Sequence, residues 1–110
     1  MKYQHQQLAS GGWEKLTFVE QMANIGSEVG RTITWKNKDK KEYSEKAFER
    51  SLELLHLTIA DIKNKMHLRG LTRLREALID YFSFNNEFKS SDQLWQNYFY
   101  AFNFAARRNY

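Results

Sequence analysis

The chain has 110 residues, enough for one domain with a substantial core, and no cysteine, which excludes disulfide frameworks and thiolate metal sites. Its 17 basic residues exceed its 13 acidic ones by four, an excess that fits solubility as readily as an anionic partner. Proline is absent, glycine occurs five times and aromatic residues make up 15 %, a balance that disfavours turn-rich β folds and suits long helices.

Residues 1–12, MKYQHQQLASGG, read as a flexible tail too polar for a signal peptide, with Gly11 and Gly12 as a hinge. Residues 13–110 read as a single domain. No apolar run approaches the roughly 18 residues that a membrane helix needs, so the expectation is a cytoplasmic chain without a membrane partner.

The first helix opens with Thr17 and Glu20 spaced as a capping box. Phe18, Val19, Met22, Ile25, Val29 and Ile33 then share one face, flanked by Ala23, Gly26 and Gly30. A glycine inside a helix costs about 1 kcal/mol relative to alanine. The pair therefore reads as a smooth groove where a neighbouring helix approaches closely. Away from that face, Asn24, Glu28, Arg31 and Trp35 recur at intervals of four, three and four, a polar cluster with a Glu28–Arg31 ion pair. Trp35 at its end is a candidate partner contact, because exposed tryptophans concentrate at interfaces.

After the charged break KNKDKKE, a second helix is expected over residues 41–63, with Ala47, Phe48, Leu52, Leu54, Leu55, Ile59 and Ile62 as its apolar face. Ser44, Ser51 and Thr58 recur every seven residues near the middle of that face, where small hydroxyls bond back to the preceding turn. In RSLELLH, Arg50 and His56 have five residues between them. This spacing resembles the Arg-to-His signature of HEPN-domain ribonucleases, small helical bundles in which the pair acts on the RNA phosphate. Here Ser51 follows the arginine, where that signature favours Asn, Asp or His. In a regular helix the two side chains point about 120° apart, so such chemistry would need a kink or a dimer.

A third helix is expected over 68–84, with Leu71, Leu74, Leu78, Ile79, Tyr81 and Phe82 inward. Arg75 falls inside that stripe. It reads either as a guanidinium snorkelling from the bundle edge or as part of a polar pocket near the second helix's hydroxyls. Ser90 and Gln93 suggest a capping box opening the fourth helix, whose inner side carries Leu94, Trp95, Tyr98, Phe99, Phe102, Ala105 and Ala106. Tyr100 and Phe104 lie on its back, one turn apart, and with Trp35 suggest a partner-binding surface.

Four such helices joined by short polar loops predict an all-α, antiparallel up-down-up-down four-helix bundle. In that topology the second loop and the end of the fourth helix share a pole. Lys63, Lys65, Arg69, Arg107 and Arg108 would gather there as candidates for binding an anion or a nucleic acid. His5, His56 and His67 have no metal-ligand spacing, and no metal or cofactor is expected.

The phrases ANIGSEVGRTITWK, RLREALIDYF and YFYAFNFAARR resemble those of a family of short all-helical prokaryotic proteins with no assigned function. The resemblance spans the chain from about Leu16 and implies a cytoplasmic helical bundle, with no activity to carry over. The expected role is a non-enzymatic interaction module that self-associates or docks on a protein partner. The alternative is a nucleic-acid-associated protein, including a HEPN-like ribonuclease using Arg50 and His56.

Overall fold

A computed structural model describes residues 11–108. The tail expected at 1–12, with Lys2 and His5, therefore lies outside the described residues apart from Gly11 and Gly12. A 3-10 turn at Trp13–Lys15 precedes four helices: α1 (Phe18–Asn37), α2 (Lys41–Ala60), α3 (Leu68–Ser83) and α4 (Asp92–Arg108). A 3-10 segment, Ile62–His67, joins α2 to α3.

The helix ends follow from local chemistry. At the head of α1 the capping box forms: Thr17 N donates to Glu20 Oε1 (2.9 Å) and Glu20 N donates to Thr17 Oγ1 (3.1 Å). The same helix closes in a Schellman arrangement, with Asp39 N donating to Lys36 O (3.1 Å) and Lys40 N to Trp35 O (2.9 Å). Asp39 occupies the left-handed position at φ 56°, where glycine is usual.

α2 ends at Ala60, three residues earlier than expected. Asp61 turns extended, and its carboxylate accepts from Lys63 N (3.2 Å), which starts the 3-10 segment. Ile62 is thereby lifted off the apolar face assigned to it and is 86 % exposed. The expected Ser90–Gln93 capping box does not form. Asn86 engages the Ser90 backbone in both directions (2.8 and 3.0 Å), and the cap shifts to Ser91, whose Oγ accepts from Leu94 N (3.1 Å). Asp80, buried at the end of α3, accepts from Glu87 N and Phe88 N (2.8 and 3.0 Å) and pins the loop that follows.

Contacts at the two poles establish the alternating direction of the helices. At one, Lys36 near the end of α1 meets Tyr81 near the end of α3 and Asp92 at the start of α4. Ser44, early in α2, reaches Thr32 O at the same end (3.0 Å). At the other pole Phe18 of α1 stacks on His67 (4.0 Å between centroids) and meets Phe102 of α4 edge-on (6.2 Å). The result is an all-α bundle running up, down, up, down. α1 is its central helix, with its closest approaches to α2 and α4.

Met22, Ile25, Val29 and Ile33 of α1 supply the middle of the core, against Leu54 and Leu55, Leu71, Leu74 and Leu78, and Trp95 and Phe99. The glycine groove is half as expected. A Cβ at Gly26 would lie 2.7 Å from Phe99 Cβ, so α4 packs directly on that glycine. At Gly30 a Cβ would meet nothing within 4 Å among the described residues. Instead of touching a helix, Gly30 floors an open groove.

Candidate functional site

Of the polar stripe of α1, Asn24 and Arg31 stay exposed, but Glu28 is buried under α2 between two arginines: Oε1 accepts from Arg31 Nη1 (2.8 Å) and Oε2 from Arg50 Nε (3.1 Å). A buried carboxylate requires such donors, since desolvation without them is costly. Asn24 stays out of this cluster, exposed and bonded to its own helix at Glu20 O (2.8 Å). Trp35 is half-buried against Tyr43 of α2 (4.9 Å), with the Lys38 ammonium 5.6 Å from its ring. It belongs to the α1–α2 corner rather than to the α4 ridge.

Arg50 and His56 both lie on α2, which is regular from Lys41 to Ala60, so no kink brings them together. Arg50 is committed to Glu28, and His56 is exposed. Arg75 is exposed too, not inside a polar pocket near the α2 hydroxyls. It rims a shallow depression of about 440 Å³ with Glu76, Ile79 and Phe84. The reason is the narrowness of α3's buried apolar stripe, which is confined to Leu71, Leu74 and Leu78. Among the described residues no three His, Asp or Glu side chains gather as a metal site.

A cleft of about 630 Å³ opens between the end of α1, the start of α2 and the end of α3, over Phe48 and Phe82. Its most prominent cation, Lys36, is already engaged. Lys36 Nζ donates to Asp92 Oδ1 (2.7 Å) and Tyr81 OH (3.2 Å), and Asn37 Nδ2 donates to Asp92 Oδ2 (3.1 Å). Burial alone would lower the Lys36 pKa, but the bonds to Asp92 and Tyr81 outweigh it and hold the ammonium above its ordinary value. Burial likewise favours a neutral Asp92, yet Lys36, Tyr81 and Asn37 together keep its carboxyl below the usual range. Lys36, Asn37, Tyr81 and Asp92 satisfy one another and tie α1, α3 and α4 together.

The α1–α4 face is different. Tyr100 and Phe104 are 61 % and 50 % exposed and stack on each other at 6.4 Å, forming an apolar ridge along α4. The Arg108 guanidinium lies 5.9 Å from the Phe104 ring at its far end. Beside the ridge runs a groove of about 170 Å³, floored by Gly26 and Gly30 and walled by Ile33, Trp95, Phe99 and Asn103. The buried indole N–H of Trp95 has no acceptor among the described residues.

The basic residues expected at one pole do lie there. His67 and Phe102 meet around Phe18, which brings the start of α3 and the end of α4 together. Lys63, Lys65, Arg69, Arg107 and Arg108 are all exposed. Lys63 is partly spent internally, since Nζ donates to the Asp61 carboxylate and to Glu14 O (3.2 Å).

Sequence reasoning missed a buried polar network under this pole. Gln21 Nε2 donates to Trp13 O (3.0 Å) and Asp61 Oδ2 (2.8 Å), while its Oε1 accepts from Asn64 Nδ2 (2.7 Å). Asn64 Nδ2 also reaches Thr58 O (3.0 Å), and Trp13 Nε1 donates to Thr58 Oγ1 (3.0 Å). Burial favours a neutral Asp61, but Lys63 and Gln21 more than offset it and lower the pKa. One signal was available: Gln21 stands three residues after Phe18 and four before Ile25, in line with the core stripe.

Comparison with protein-family models, curated proteins and solved structures finds no match for this chain. No helix among the described residues is long and apolar enough to cross a membrane.

Proposed function

We propose that this chain is a cytoplasmic, non-enzymatic interaction module of the short helical prokaryotic kind, and that it pairs with a second copy of itself across the α1–α4 face. The observation that carries this reading is the Tyr100–Phe104 ridge lying directly beside the Gly30 groove. A ridge and a groove on one face are what a two-fold contact requires, because each copy offers both halves to the other. Aromatic side chains in the middle of such a patch supply most of an interface's free energy. The polar clusters add support of a different kind: Glu28, Asp92 and Asp61 are all held by internal donors, which leaves them stabilising helix contacts.

The test is the mass of the chain in solution, by sedimentation or light scattering, over a range of concentrations. The parent should assemble. Tyr100→Ser with Phe104→Ser should reduce it to the monomer with its helical signal intact, and Gly30→Leu should do the same by filling the groove. A parent that stays monomeric at high concentration would rule out self-association and leave a foreign protein as the remaining occupant of the face.

A further inference from the structure

We propose a second, independent surface: the 3-10 segment Ile62–His67 and the first turns of α3 form a peripheral docking site for an anionic lipid bilayer. Ile62 and Met66, one turn apart on the segment, are 86 % and 96 % exposed. Leu68 follows at 47 %. Interleaved with them are Lys63, Lys65, Arg69 and Arg73, and no acidic residue occurs between positions 62 and 75.

The tip is held in place from beneath. Asp61 and Asn64 alternate with the exposed positions, and both are buried, bonded to Gln21 and, for Asn64, also to Thr58 O. The buried network therefore holds the segment with Ile62 and Met66 outward. Preorganisation of this kind lowers the cost of ordering on binding.

The chemistry selects the occupant. Apolar fingertips ringed by basic side chains match a bilayer whose acyl layer lies just under anionic headgroups. Lysine and arginine stems lie along that boundary with their charges in the headgroup layer. A nucleic acid offers the same negative charge but would press phosphates against Ile62 and Met66, and the aromatic ring of the segment, His67, is already stacked on Phe18 (4.0 Å). A contact of this type needs no spanning helix.

The full chain is mixed with sedimenting vesicles of phosphatidylcholine alone, or of phosphatidylcholine with an equal amount of phosphatidylserine. It should pellet with the second and not the first. Ile62→Asn with Met66→Asn should weaken that binding by at least about tenfold, through loss of the inserted apolar surface. Lys65→Gln and Arg69→Gln should each weaken it about fivefold. Both apolar side chains are already exposed, so circular dichroism and thermal melting should match the parent. No binding to anionic vesicles at low salt would overturn the proposal, as would binding indifferent to the Ile62 and Met66 changes. Binding of single-stranded RNA that survives those changes, with no vesicle binding, would replace it with a nucleic-acid site.

Discussion

Replacing Gly26 and Gly30 separately with alanine should change stability unequally, although the two positions are one turn apart on the same helix. Either substitution removes a helix-interior glycine, a gain of about 1 kcal/mol. At Gly30 the new methyl meets nothing within 4 Å among the described residues, so the gain should appear in full. At Gly26 the methyl would sit 2.7 Å from Phe99 Cβ, 2.9 Å from Cγ and 3.0 Å from Cδ1. Carbon atoms settle at about 3.5–4.0 Å, so α4 would have to move away by about 1 Å. Phe99 Cβ is fixed to the α4 backbone and cannot swing aside. Overpacking of this kind costs about 1–3 kcal/mol, which cancels or exceeds the helical gain. The two variants should therefore differ by about 1–3 kcal/mol. Urea unfolding followed by circular dichroism, at dilution so that assembly does not contribute, measures this directly. In a chain of this size each kcal/mol also moves Tm by about 4–8 °C. If Gly26→Ala is stabilised as much as Gly30→Ala, α4 does not rest on α1 at Gly26 and the packing argument fails.

Three further outcomes are expected. Asp61 has a lowered pKa, so its contribution is present above the unfolded-state value of about 3.9 and is lost as pH falls through the folded value. Asp61→Asn should cost about 1.5–3 kcal/mol at neutral pH and flatten the loss of stability below about pH 4, read from denaturation midpoints across pH. Arg50→Ala leaves Glu28 buried with Arg31 alone and should cost about 1–3 kcal/mol, and Glu28→Gln made in that background should restore part of it; strict additivity in this double-mutant cycle would mean that the pair is not coupled. Asp39→Gly should stabilise by a few tenths to about 1 kcal/mol by relieving the left-handed position in the Schellman turn, and a destabilised variant would argue against that turn.

The fold was legible in the sequence because its signals are local and repeated. The Thr17–Glu20 box and the apolar stripes of α1 and α3 each rest on a few residues at fixed spacing, and the structure keeps them. What depended on which helix packs on which face was not legible. Glu28 showed only its pairing with Arg31 because a single helical wheel does not contain α2, whose Arg50 completes the site. Gly26 and Gly30 looked equivalent for the same reason, since only the position of Phe99 distinguishes them. Ile62 was misplaced by a three-residue error at a helix end. Periodicity alone does not reveal that Asp61 breaks the helix by capping the next turn.

That error at the end of α2 changes the functional reading more than any other difference. Counted as core, Ile62 and the basic run after it suggested only a charged pole, and charge alone points to any anionic partner. Lifted onto the 3-10 segment beside Met66, it makes the pole amphipathic, and the candidates narrow to those that accept apolar insertion together with positive charge. At the opposite pole Lys36, Tyr81, Asn37 and Asp92 close on one another. Side chains that could have carried chemistry in this bundle are largely consumed in this way: Arg50 by Glu28, Lys36 by Asp92, Gln21 by Asn64 and Asp61. Among the described residues, the ridge of Tyr100 and Phe104 and the tip of Ile62 and Met66 have no such internal partner to cover them.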